Sequence, residues 1–157
     1  MEKYLSFKTK IYFNKLTHII CIIFIFHFAS NLSAEELLVT KKSWDGGNIS
    51  YPKGETEITS FILSINEGDV PEFHCHPVPT MGYVLKGNVE VETIDGKKTI
   101  LKEGESAVEV MRTVHRSKAL NGPAQIIVFY AGADGIPNSV LPKDDSSHQY
   151  CNETGVE

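Results

Sequence analysis

From Glu36 onward, apolar and polar positions alternate over short runs and do not recur at the three-to-four-residue spacing of an amphipathic helix. Val, Ile, Thr, Phe and Tyr fill these runs, while Gly, Asn, Asp and Pro separate them, which is the pattern of half-buried strands joined by turns. The pattern predicts strands over residues 37–42, 58–65, 72–76, 82–85, 88–93, 97–101, 106–110, 115–118 and 125–130. Asp95-Gly96 favours a tight hairpin, and Gly68-Asp69, Gly104 and Asn121-Gly122-Pro123 mark further reversals. The sequence shows no repeat of fixed period. The class expected is all-β, a sandwich or a barrel.

The first 34 residues follow a different pattern. Lys3, Lys8, Lys10 and Lys15 precede an apolar run over residues 18–29, and small residues lead from Ser30 to Ala34, just before Glu35-Glu36. A basic start, an apolar middle and a small-residue exit read as a secretory signal peptide over residues 1–34, cleaved after Ala34, with Ala29 or Ser30 as the other sites. The run is short of the ~20 apolar residues of a membrane span, so no stable membrane insertion is expected after cleavage; a retained signal anchor is the other reading. Ile20 stands before Cys21 where a lipid-attachment cysteine wants Gly, Ala or Ser. Export would place the protein in the periplasm or outside the cell.

The chain has 157 residues, 41% of them hydrophobic, which is the size of one domain with its own core. The expected division is a β-barrel over residues 35–137 and a polar C-terminal tail over 138–157, ordered where it drapes over the barrel. Without the first 34 residues, 11 basic and 19 acidic residues remain, a net −8. With that charge and no Lys/Arg stripe, nucleic acid and anionic membrane surfaces are excluded as partners.

His74 and His76 lie two residues apart. On a strand that spacing puts both imidazoles on one face and Cys75 on the other. A bare His-x-His is more often a surface pair, but this one sits in a frame: Gly68, five residues, His74-Cys75-His76, then Tyr83-Val-Leu-Lys-Gly87. The frame closely resembles the first signature of the cupin superfamily. Gly104 through Val114 to His115 resembles the second in its glycine and histidine spacing, and the two span residues 68–121. The leading Trp44-Asp-Gly-Gly and the closing Phe129-Tyr-Ala-Gly are similar to small bacterial monocupins. The resemblance implies a single jelly-roll β-barrel of six to eight strands, a homodimer, and one divalent metal ion, Fe, Mn or Zn, held by His74, His76 and His115.

The sequence departs from the family where a glutamate usually completes the metal site, because Thr80 stands there. Val110 and Arg112 also replace the proline and glycine of the second signature. A hydroxyl is a poor ligand beside imidazoles, so Thr80 is expected to bind a water or to pack. Two arrangements stay open: a three-His site with positions left for water, substrate or oxygen, or a site in which Glu109 supplies the carboxylate. Glu109 sits in the apolar run 107–111, where a buried carboxylate is costly unless paired or metal-bound; its bland alternative is an exterior position paired with Arg112.

Tyr83 and Phe73 are candidate pocket residues with Thr80, His148 is read as solvated, and Asn121 is read as a turn residue. Cys75 reads as a buried small hydrophobe, with a Cys75–Cys151 disulfide as the other reading. A three-His centre would suit a dioxygenase acting on a small chelating substrate, or a Lewis-acid isomerase or hydrolase. A non-catalytic protein binding a small anionic ligand or the metal alone is the competing class.

Overall fold

The computed structural model describes residues 33–152, so the expected signal peptide lies, but for Ser33 and Ala34, outside the described residues. The unit from Glu36 onward is built on β1 (Thr56–Ile65), β2 (Thr80–Thr93), β3 (Lys98–Lys102), β4 (Ser106–Val108) and β5 (His115–Ala133). These strands pair antiparallel throughout, in the order β1-β5-β2-β3, with β4 joined to β2. The all-β class is as the alternation predicts.

Two long strands organise the sheet. β2 pairs with β5 from Thr80 opposite Tyr130 to Thr93 opposite His115. β4 lies along the first half of β2 at Met81–Tyr83, β3 along the second half from Asn88 to Glu92, and β1 along the far half of β5. The sequence predicts four short strands here, separated by turns. The chain instead keeps both strands continuous and bends them together. The register slips on either side of Lys86, opposite residues 120–125, and Gly87, Asn121 and Gly122 take left-handed backbone angles there. Asn121-Gly122-Pro123 is therefore a bulge and not a reversal. Gly87 is required by contact as well as by its φ of 79°, because a Cβ would sit 2.6 Å from the Pro123 carbonyl oxygen.

The bend brings both halves of the pair into one core cluster. Val84, Ile126, Val128 and Tyr130 from one side meet Val89, Val91, Leu101 and Ala119 from the other. Each large buried side chain of this kind contributes about 1.5–3 kcal/mol.

Three expectations need correction. Residues 37–42 form no strand; all are exposed, and only Lys42 makes a bridge, to Asn48. Residues 72–76 contribute three isolated bridges, His74 to His115, Cys75 to Val140 and His76 to Met111, because Pro71, Pro77 and Pro79 remove the donors needed for a longer ladder. The third concerns the C-terminal segment, where Cys75 and Cys151 form a disulfide, the reading the sequence placed second. In the chain-entropy picture, a bridge closing a loop of this length is worth about 4 kcal/mol. It belongs to a second core cluster of Cys75, Val114, Val140 and Cys151, with Phe73 and Tyr150 against it. A 3₁₀ turn at Pro142–Asp144 follows Val140, and the buried Asp145 carboxylate accepts the N–H groups of Gln149, Tyr150 and Cys151.

The shared bend makes Gly87 the sensitive glycine. Gly87→Ala is expected to cost about 2–4 kcal/mol through backbone strain and overlap. Gly96→Ala, in the open Asp95-Gly96 turn with nothing within 4 Å, is expected to cost about 1 kcal/mol. Urea unfolding of the two variants gives the comparison, and equal losses would contradict the bend contact.

Candidate metal centre

The bridged segment 74–76 alternates as a strand does, so His74 and His76 share one face while Cys75 enters the disulfide core on the other. His115, the first residue of β5, exchanges two backbone hydrogen bonds with His74, at 2.9 and 2.8 Å. The three rings form a nearly regular triangle, with centroids 4.9 Å apart for His74–His76, 4.8 Å for His74–His115 and 4.9 Å for His76–His115. Their candidate ligand atoms all lie within 4.8 Å of one another.

The protonation of each ring follows from its backbone partner. Nδ1 of His74 meets the Glu72 carbonyl at 3.0 Å, Nδ1 of His76 the Asn138 carbonyl at 2.8 Å, and Nδ1 of His115 the Thr113 carbonyl at 2.8 Å. A carbonyl only accepts, so each Nδ1 carries the proton and each Nε2 keeps its lone pair. Burial also holds all three imidazoles below their ordinary range, His76 furthest, where the neighbouring His115 and His74 add to the effect. The rings are neutral at neutral pH, as metal ligands must be.

Glu109 follows β4, and its N–H donates to the Thr80 carbonyl at 2.8 Å. The two residues are thus neighbours across adjacent strands, and both line a cavity of ≈ 50 Å³ with the three histidines, Ile126, Val128 and Tyr130. Glu109 Oε2 lies 3.6 Å from His115 Nε2, buried and without a hydrogen-bond partner. Burial pushes this carboxyl up to about 7; His74 and the Trp44 indole pull the other way, the indole approaching without completing a hydrogen bond. Arg112, the competing partner considered from sequence, turns away and donates to the Gln149 carbonyl at 2.7 Å. The exterior reading of Glu109 is replaced by an interior one.

The Thr80 hydroxyl is buried and donates to the Val78 carbonyl at 3.1 Å. Tyr83 and Phe73 lie outside the cavity. Alternation along β2 buries Thr80, Gly82 and Val84 and puts Tyr83 on the other face. Phe73 packs at the disulfide cluster under the Arg116 guanidinium, 4.4 Å from the ring centre. Tyr130 takes the position expected of an aromatic lining residue, its ring 5.3 Å from that of His76 and its hydroxyl pushed up to about 12 by burial and by Glu109. Its place in the alternation Ile126, Val128, Tyr130 is the signal that would have found it. The Asn138 carbonyl had none, since any residue carries one.

Three neutral lone pairs fit a divalent cation, as does a buried carboxylate oxygen with no partner, whose charge a cation would balance. The cluster can hold a metal ion. Residues 61–130 match the family model described as Cupin domain.

Residues 61–130 are a cupin domain, and the chain is a cupin-domain protein.

Among solved structures, the cupin is similar to a DMSP lyase from Ruegeria pomeroyi at 19% identity, covering 56% of this chain and 44% of that one, with a TM-score of 0.48. It is similar to a cupin-like protein from Thermotoga maritima at 15% identity, covering 59% and 70%, with a TM-score of 0.48. A cupin 2 conserved barrel domain protein from Leptotrichia buccalis gives 24% identity, 53% and 44% coverage, and a TM-score of 0.43. The matched part spans less than half of the first and third of these chains. No curated protein matches this cupin by sequence.

The raised Glu109 carboxyl has a sign that can be measured. Its folded value lies above its unfolded one, so its contribution to stability is present on the acid side and lost as pH rises through about 7. Glu109→Gln mimics the protonated form at every pH. The metal-free variant should therefore gain stability over metal-free wild type between pH 5 and 8, by about 2–3 kcal/mol. The histidine contributions, lost on the acid side, are common to both proteins. A difference that stays flat with pH in denaturant titrations would mean that the carboxylate is solvated.

Proposed function

We propose that the chain is an exported jelly-roll cupin holding one divalent metal ion through His74, His76 and His115, with Glu109 as the fourth ligand, and acting as a metal-dependent oxygenase on a small chelating substrate. The observation that carries this reading is the pairing of Glu109 with Thr80. The position that a family member fills with glutamate holds Thr80, and the residue hydrogen-bonded to it across the strands brings a buried carboxylate to the same cavity.

Bound iron would supply oxygen activation at this centre, while manganese or zinc would supply Lewis acidity. The chain's own residues supply the rest. Carbonyl-locked imidazoles present lone pairs without reorganisation, and Glu109 lowers the net charge of the centre by one. A divalent ion with one carboxylate retains a single positive charge, which selects a monoanionic or neutral chelating ligand. Ile126 and Val128 line the cavity with apolar surface, and its ≈ 50 Å³ can enclose only the chelating end of a small ligand. The Tyr130 hydroxyl, held protonated, can donate a hydrogen bond to it.

The Cys75–Cys151 bridge supports export, because disulfides persist in oxidising compartments. A homodimer is supported by the outward face of the sheet, where Ile58, Ile62, Met81, Ile127 and Phe129 are exposed, and by the edge of β1, which pairs with no further strand among the described residues. Light scattering should give twice the chain mass, and Ile62→Glu should shift it to the single-chain value; a monomeric wild type contradicts the dimer.

Metal analysis of protein purified from its own compartment tests the centre. One iron per chain, together with oxygen uptake on a panel of small thiols, diketones and phenols, is the expected result. His74→Ala, His76→Ala and His115→Ala should each abolish metal retention, and Glu109→Gln should weaken it about 10–100-fold. Full metal retention by the histidine variants overturns the site; zinc in place of iron, without oxygen uptake, overturns the oxygenase.

A further inference from the structure

Residues 138–152 contribute no ligand to the proposed centre, yet they hold one of its imidazoles from two sides. The Asn138 carbonyl takes the Nδ1 proton of His76 at 2.8 Å, and the Asn138 side chain donates to Thr59 Oγ1 at 3.0 Å. Val140 exchanges two backbone hydrogen bonds with Cys75, the residue before His76. On the other side, the Arg112 N–H donates to the His76 carbonyl at 2.7 Å, and Arg112 is itself held by the Asn152 N–H at 2.8 Å and by the Gln149 carbonyl. The segment makes no strand ladder, only the isolated bridges Cys75–Val140 and Thr113–Asn152. What fastens it is covalent: Cys151 is bonded to Cys75, between the two histidines.

We propose that residues 138–152 form a redox-set strap of the metal centre, in which closing the Cys75–Cys151 disulfide seats the Asn138 carbonyl on His76 and so sets the metal affinity of the three-His site. This rests on the metal-binding reading above. With the strap seated, the His76 proton stays on Nδ1 and Nε2 is a ligand. With the strap loose, that proton can occupy Nε2 and block it. Closure removes two electrons and two protons from the paired thiols and passes them to an external protein disulfide, which leaves as a dithiol. The reverse needs a dithiol reductant attacking through a mixed disulfide. Both sulfurs are buried, Cys75 completely, so a reductant reaches them only when the strap opens. The chain thus acquires its metal after oxidation and keeps the bridge once folded. Loss of an outer partner of a ligating histidine weakens metal binding by about 10–100-fold, which sets the size of the effect.

The test compares oxidised wild type with Cys151→Ser, both free of signal peptide and folded by circular dichroism well below their melting temperatures. Zinc affinity is read by competition with a chromophoric chelator, and the His76 tautomer by ¹⁵N NMR of the metal-free proteins. Cys151→Ser should bind zinc about 10–100-fold more weakly and show its His76 proton shared between Nδ1 and Nε2. Val89→Ala, in the other core cluster, should lower the melting temperature and leave zinc affinity at the wild-type value. Cys151→Ala also cannot close the bridge and puts no hydroxyl into the apolar cluster; it serves if Cys151→Ser does not fold, and the same loss is expected of it. Wild-type affinity and an Nδ1-protonated His76 in whichever strap variant folds would overturn the strap. Failure of oxidised wild type to bind zinc or iron would instead sink the metal reading, and the tautomer comparison would still decide whether the strap sets His76.

Discussion

The pairing of β2 with β5 carries the molecule, and it is a constraint as much as an attraction. Two strands of this length, bonded along most of their course, can curve only if both yield at the same place. They do so where Gly87 passes the Pro123 carbonyl with no room for a side chain. Every other element takes its position from the curved pair: β4 and β1 flank one half, β3 flanks the other, and the core forms where the halves meet. The two ends of the β2–β5 pair matter most for chemistry, since Thr80 opens β2 and His115 opens β5.

The centre is built against the ordinary preferences of a core. Three imidazoles are packed close together with their Nδ1 positions committed to backbone carbonyls, and a carboxylate is buried beside them with an oxygen left unpartnered. Burial and the close packing of the rings disfavour the charged forms more than the carbonyls favour them, and together they make a metal-free site that is neutral in its histidines and reluctant in its glutamate. The aliphatic cluster beneath, from Val84 to Val128, gives the fold the stability against which that arrangement is held.

What the sequence revealed was local. Alternation identified the class, Asp95-Gly96 identified the hairpin, and the His-x-His spacing placed two imidazoles on one face. What it concealed was set by partners far along the chain. Asn121-Gly122-Pro123 has the composition of a turn, and only the opposing Gly87 makes it a bulge. The parity of β2 decides that Gly82 and not Tyr83 faces the cavity, and parity follows from pairing with β5. The kinship of Thr80 and Glu109 becomes visible only once their strands are neighbours. The C-terminal residues look like a solvated tail because their polar groups bond to backbone, as Asp145 does with three successive amides.

The placement of Cys75 between two histidines has one last consequence, which concerns errors in register. A strand has only two faces, so a slip of the 74–76 segment by one residue would exchange them. The Cys75 thiolate would then point at the three-His cavity as a soft ligand, and both imidazoles would turn into the apolar cluster. The bond to Cys151 can form only when the segment is seated the right way round. Closure therefore fixes the face that the two imidazoles share, and it takes the Cys75 thiolate out of competition with them.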